Sequence, residues 1–256
     1  MDIDRVFVHG GTRAPSGETA CYVLGRENAL LVDPAAETPA VDERLDDVAH
    51  IAVTHHHGDH VGAVATYADA TDATVWCRYG KAAAFERATG VTADRTFREG
   101  STIDTGDGPV TVLDTPGHAP EHVAFDVGDA LLTGDLAVEP GSVVVGAPHG
   151  DMRAYLTSLR RVWAMNPNRL LPAHGSVIAH PRMTCERLIQ HRLDRERRVL
   201  DAVDAGCHSV DEVLDAAYDK SLTGVEDLAR ATVRAHLVKL GHEGRIEWND
   251  TSVTSR

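Results

Sequence analysis

The stretch Thr54-His55-His56-His57-Gly58-Asp59-His60 constrains this chain more than any other. Within six positions His55, His57, Asp59 and His60 offer imidazole and carboxylate lone pairs, a donor set that suits zinc, iron or manganese. Just upstream, Ile51-Ala52-Val53-Thr54 is short, apolar and partly β-branched, the pattern of a buried strand. The donors are therefore expected on the loop where a strand ends, with Gly58 letting the chain turn tightly. Alternate residues of an extended segment point to one side, so His55 and His57 are expected to face one point in space. Asp59 and His60, arriving after the turn, are expected to face a second. A solvated histidine-rich surface explains the same residues only if this order arose after a strand by accident. His56 stands outside the donor set.

At 256 residues, one large domain or two unequal ones is the expectation. A hydrophobic content of 43% allows a substantial core. No run approaches the roughly 20 apolar residues that span a bilayer, and Met1-Asp2-Ile3-Asp4-Arg5 has no signal-peptide character. A soluble, cytoplasmic protein without a membrane partner is expected. Cys21, Cys77, Cys185 and Cys207 lie far apart, so buried reduced thiols are expected rather than disulfides or a zinc knuckle. The formal charge of −14 rests on 25 Asp and 14 Glu against three Lys, namely Lys81, Lys220 and Lys239. That surface resembles adaptation to high salt, and it weakens long-range attraction to nucleic acid.

Further along, Ala20–Leu24 and Ala29–Val32 flank a turn and read as a hairpin that Asp33-Pro34 stops. Pro39 to Asp47 reads as a short helix, Val61 to Ala70 as a helix, Ala73 to Trp76 as a strand and Lys81 to Thr89 as a helix. Pro109 to Leu113 is an expected strand, and Val123–Val127 with Ala130–Thr133 an expected hairpin. Asp151 is placed to cap a helix over Met152 to Met165, and Arg169–Leu171 is a last strand. This alternation argues for an α/β architecture of sheets covered by helices. Three more strand ends then carry a potential ligand: His118, Asp135 and His174. Donors gathered from separate strand ends are what a rigid metal pocket requires.

With His55, His57, Asp59 and His60 forming H-x-H-x-D-H, His118 in Thr-Pro-Gly-His, Asp135 in Leu-Thr-Gly-Asp and His174 in Pro-Ala-His-Gly, the chain resembles the metallo-β-lactamase-fold superfamily of hydrolases over about residues 1 to 180. The resemblance implies a four-layered αββα sandwich holding two divalent metal ions, zinc first, iron or manganese as alternatives. It implies that His55, His57 and His118 hold the first ion, that Asp59, His60 and His174 hold the second, and that Asp135 bridges them. An aspartate at position 135 is similar to the glyoxalase II side of the superfamily. Two ions sharing a water lower its pKa from 15.7 toward about 7, and Asp59 is placed to orient the hydroxide. No serine or cysteine nucleophile is required.

The catalytic domain is expected over 1–180 and a helical, winged-helix-like tail over 181–256. Cys185 to Ala205 reads as a charged helix carrying Arg187, Arg192, Arg195, Arg197 and Arg198. Ser209 caps a second helix through Tyr218, Val225 to Leu240 forms a third, and Arg245–Trp248 a short strand. The segment resembles the winged-helix tail of the lactamase-beta-like group, whose animal members include a mitochondrial endoribonuclease. Its arginines alternate with Glu186, Asp194 and Glu196, as on a solvated helix face. A wall over the pocket or a contact with a second copy in a homo-oligomer is therefore expected ahead of RNA binding.

Three functions follow. The first is a metal-dependent hydrolase of a small ester or thioester, similar to glyoxalase II but without a tail resembling its glutathione-binding helices. The second is a single-strand RNA endonuclease, against which stand the acidity and a tail whose only aromatics are Tyr218 and Trp248. The third, of another class, is a nonhydrolytic binding module. β-Lactam hydrolysis ranks lowest.

Overall fold

The computed structural model describes residues 1–219 and 221–256; Lys220 lies outside them. Strand β1 (Ile3–Val8) precedes the hairpin of β2 (Thr19–Leu24) and β3 (Ala29–Val32), then α1 (Pro39–Asp42), a 3-10 turn over Leu45–Asp47 and β4 (Val48–Ala52). Helices α2 (Gly58–Val61) and α3 (Val64–Ala70), β5 (Thr74–Arg78), α4 (Ala82–Thr89) and β6 (Arg95–Phe97) follow. Next come β7 (Thr102–Thr105), β8 (Gly108–Asp114), β9 (Val123–Asp126), β10 (Ala130–Gly134), α5 (Met152–Met165) and β11 (Arg169–Pro172). The chain ends with α6 (Pro181–Asp204), α7 (Val210–Ala217), α8 (Glu226–His242), β12 (Ile246–Trp248) and β13 (Val253–Ser255).

Two compact units result. The first comprises residues 1–114, 121–141 and 167–181; the second comprises 115–120, 142–166 and 182–256. In the first unit, β1 to β6 form a six-stranded sheet in sequence order, and β11-β10-β9-β8-β7 form a five-stranded one. Both are mixed: β3, β4, β5 and β6 run parallel, as do β10 and β11, while the remaining neighbours are antiparallel.

Strand periodicity explains the layering. On β2, Ala20, Tyr22 and Leu24 join Val112, Phe125 and Leu132 in a core shared by both sheets. The alternate residues Cys21 and Val23 pack with Val64, Tyr67 and Phe85 of α3 and α4 on the opposite face. A strand buried on both sides reads as continuously apolar, as Ala-Cys-Tyr-Val-Leu does.

The helix expected over Val61 to Ala70 is instead two helices that break at Gly62. A Cβ on Gly62 would stand 2.3 Å from the Ala35 carbonyl oxygen, and the next N–H, that of Ala63, donates out of the helix to the Pro34 carbonyl at 2.8 Å. Asp151 caps α5 as expected, accepting from the backbone N–H of Arg153 and Ala154. Ser209 and Glu212 form a capping box at α7. In the second unit Val199, Val203, Val213, Leu214, Val233, Leu237 and Leu240 build a core from α6, α7 and α8, closed by Ile246 and Val253 of the β12–β13 hairpin. All four cysteines are free, Cys207 alone not fully buried. Among the described residues no helix is long and apolar enough to cross a membrane.

Candidate metal centre

Six of the seven expected ligands belong to the first unit, and all six lie just past the C-terminal end of a strand. His55 and His57 follow β4, Asp59 and His60 occupy the first turn of α2, Asp135 follows β10 and His174 follows β11. Strands β10 and β11 are parallel neighbours, and the Ala173 N–H donates to the Gly134 carbonyl at 3.1 Å, which sets Asp135 and His174 side by side. Gly58 is the first residue of α2, so helix α2 rather than a tight glycine turn redirects the chain after His57.

Two clusters form. Asp59, His60 and His174 each place a donor atom within 4.8 Å of the others, as do His55, His60 and Asp135. Asp135 Oδ1 lies 3.3 Å from His174 Nε2 and 3.6 Å from His60 Nε2, and Asp59 Oδ2 lies 3.7 Å from His174 Nε2. Donors bound tetrahedrally at about 2.1 Å are separated by about 3.4 Å, so these spacings suit a shared cation. His55 Nε2 and His57 Nδ1 face each other at 3.0 Å.

The far ring nitrogens explain why the near ones converge. His60 Nδ1 lies 3.0 Å from Asp33 Oδ2 and His174 Nδ1 lies 2.8 Å from the Glu18 carbonyl. His55 Nδ1 lies 3.1 Å from Thr54 Oγ1, which itself donates to Asp33 Oδ2 at 2.8 Å. A ring that donates from Nδ1 keeps its Nε2 lone pair for a cation. His60 Nε2 is buried without a hydrogen-bond partner among the described residues, and burying such an atom is costly unless something pairs with it. Imidazoles held in this tautomer beside carboxylates fit a divalent cation.

Burial works to lower the pKa of His60, but Asp33, Asp135 and Asp59 outweigh it and raise the value to about 9. Three nearby carboxylates thus create a field that favours positive charge at this point. His122, fully enclosed, fixes the backbone there: its Nε2 accepts the Asp135 N–H at 3.0 Å. Gly134 makes room for this, since a Cβ would come within 2.7 Å of Thr54 Oγ1 and 2.8 Å of His122 Nε2.

His118 belongs to the second unit. Its Nδ1 lies 2.6 Å from the Val144 carbonyl, which keeps the Nε2 lone pair for a cation. The preceding Gly117 has φ +140, and a Cβ there would come within 2.3 Å of the Tyr155 backbone. The Asp151 N–H donates to the Gly117 carbonyl at 2.8 Å, so the start of α5 fixes the loop that bears His118.

Asp33 and His122 escape a reading of motifs. Asp33-Pro34 reads as a strand stop, yet Asp33 turns with φ +51 and also accepts the Thr54 N–H at 2.7 Å. A buried aspartate at a strand end, level with a histidine loop, is the one signal that could have pointed to it. His56 pairs instead with Glu121 at 3.3 Å, and burial lowers its pKa while Glu121 opposes that.

Comparison with known proteins agrees with this geometry. A β-lactamase-like protein 2 homolog of Drosophila melanogaster is 28% identical over 249 residues, covering 89% of this chain and 84% of its own. A hydroxyacylglutathione hydrolase of Cereibacter sphaeroides is 34% identical over 177 residues, covering 67% and 63% respectively. The crystal structure of a metallo-beta-lactamase family protein from Thermus thermophilus superposes with a TM-score of 0.79 at 23% identity, over 99% of this chain and 98% of that one, and so shares its fold. The family model of the metallo-beta-lactamase superfamily matches residues 15–174, the span that carries every donor described above. This chain belongs to the metallo-beta-lactamase superfamily.

Proposed function

We propose that this protein is a hydrolase of a small ester or thioester, working with two divalent ions, zinc first and iron or manganese as alternatives. His55, His57 and His118 would hold one ion, and Asp59, His60 and His174 the other, with Asp135 able to serve both. The observation that carries this reading is the convergence of His60 Nε2 and His174 Nε2 on one oxygen of Asp135, with each far nitrogen held by an acceptor. When bound, the ions supply hydroxide at neutral pH and a Lewis acid for the developing oxyanion.

The chain's own groups do the rest. Asp33 holds His60 directly and His55 through Thr54, which directs the Nε2 lone pair of each ring toward a cation. His122 anchors the backbone of Asp135. Asp59, half-buried at the start of α2, accepts the proton of an attacking water and orients its lone pair. Two carboxylates beside enclosed imidazoles need no separate nucleophile. The hydroxyacylglutathione hydrolase relative supports a thioester substrate. The Asp-rich, Lys-poor composition supports a protein that works in concentrated salt inside the cell.

One observation favours a second reading, a single-strand RNA endonuclease with a winged-helix tail. The Drosophila relative covers 89% of the chain, which extends well past residue 180, whereas the hydroxyacylglutathione hydrolase match covers 67%. The purified protein, assayed in high salt against acyl thioesters and labelled single-stranded RNA, separates the two. Thioester turnover that Asp135→Ala abolishes, with RNA intact, supports the first. RNA cleavage with no thioester turnover supports the second. A protein that binds neither metal nor substrate analogue contradicts both, and one that binds ligand without turnover is a binding module.

A further inference from the structure

A cavity of about 650 Å³ lies wholly within the second unit, and the loop that bears His118 forms one of its walls through Pro116, Gly117 and Pro120. The 147–154 segment, including the first turn of α5, forms another wall, and α8 contributes Arg234, Val238 and His242. The volume falls within the range of small-ligand sites, roughly 300–1,000 Å³.

Basic side chains outnumber acidic ones in its lining by one. The chain carries −14, yet Arg153, Arg234 and Lys239 line this cavity against Asp151 and Asp250. Asp151 is occupied in capping α5, at 2.8 Å from the Arg153 N–H and 3.0 Å from that of Ala154. Lys239 is neutralised by Glu196 at 2.8 Å and Glu243 at 3.0 Å. Arg234 donates only to the backbone carbonyl of Asp250, at 2.9 Å. Neither Arg234 nor Arg153 meets a carboxylate among the described residues, and both are exposed. Two guanidinium groups from two helices, with His149 and His242 beside them, are thus left without an anion.

We propose that this cavity binds the phosphorylated part of a small acyl thioester, with Arg153 and Arg234 clamping the phosphate and the acyl end directed to the His118 loop. Guanidinium forks match phosphate oxygens bidentately. A bare carboxylate would need one such fork and far less room. The apolar side chains of Pro116, Pro120, Met152 and Val238 suit the organic body of such a carrier. This assignment rests on the thioester reading above and names the substrate class for it.

Two arms test it on the full-length protein. In the first, titration calorimetry measures coenzyme A, a phosphorylated thiol, against wild type and the Arg153→Gln/Arg234→Gln variant. In the second, KM and kcat are compared for acetyl-coenzyme A and for acetylpantetheine, which lacks the phosphates. The variant is expected to lose at least about tenfold in coenzyme A affinity and to raise KM for acetyl-coenzyme A by a similar factor. Its KM for acetylpantetheine should be unchanged, and the Arg153→Lys/Arg234→Lys variant should recover part of the loss. An unchanged KM, or an equal rise with both thioesters, overturns the proposal. So does dependence on the two arginines that appears only with a 5′-phosphorylated RNA. Arginine-dependent coenzyme A binding without thioester turnover would sustain the cavity and sink the hydrolase reading; turnover with binding indifferent to both arginines would do the reverse.

Discussion

Arg192 of α6 donates to the Val143 carbonyl, and the next carbonyl along the chain, that of Val144, holds His118 Nδ1 at 2.6 Å. One buried guanidinium in the tail, stacked over Tyr155 at 5.3 Å, therefore fixes the segment that orients a proposed ligand. Arg192→Gln is expected to weaken binding of one of the two ions by about 10–100-fold, the usual consequence of loosening an outer-shell partner. Competition against a chromophoric chelator checks this. A variant that unfolds more easily yet binds both ions as tightly as wild type would leave Arg192 with a purely structural role.

Asp33 supports two histidines at once. Asp33→Asn keeps the backbone conformation, because asparagine tolerates φ near +51, but removes the charge that holds the His60 and Thr54 hydrogens. The expected outcome is folded protein, judged by circular dichroism, with metal affinity lowered about 10–100-fold.

Gly134→Ala places a methyl against Thr54 Oγ1 and His122 Nε2. Overpacking of this kind costs about 1–3 kcal/mol, and here it also displaces the Asp135 backbone. Denaturant unfolding should show the loss of stability, and metal content should fall with it.

His191, on α6 in the second unit, provides a pH signature. Burial, then Arg192, Arg195, Arg198 and Arg187, lower its pKa from 6.5 to about 4. The unfolded chain therefore binds more protons than the folded one between those values, and stability rises with pH across that window. Going from pH 6.5 down toward 4, wild type should lose stability that His191→Gln does not lose. Urea midpoints for both proteins over that range measure the difference.

Much of this arrangement is legible in the residues themselves. The histidine loop, the three later strand ends and the Asp151 and Ser209 caps are local patterns, set by neighbours in sequence. Asp33, His122 and the Glu18 carbonyl are not, because their roles arise only when distant strand ends meet. The break after Gly62 is hidden for the same reason, since the Ala63 N–H there bonds the distant Pro34 carbonyl. Strand β13 escapes notice because Val253-Thr254-Ser255 is short and holds a single apolar residue, which pairs across from Trp248 of β12. The arginine-rich helix reads as a solvated face, yet Arg192 is only 3% exposed; periodicity alone does not show which arginine turns inward.

The central claim is that imidazoles and carboxylates from separate strand ends hold divalent ions around Asp135. Metal bound per chain, measured by mass spectrometry after dialysis against buffered zinc, tests it most directly in wild type and Asp135→Ala. About two ions per wild-type chain, falling to one or none in the variant, is the predicted result. Wild type that binds no metal, or a variant that binds as much as wild type, would contradict it.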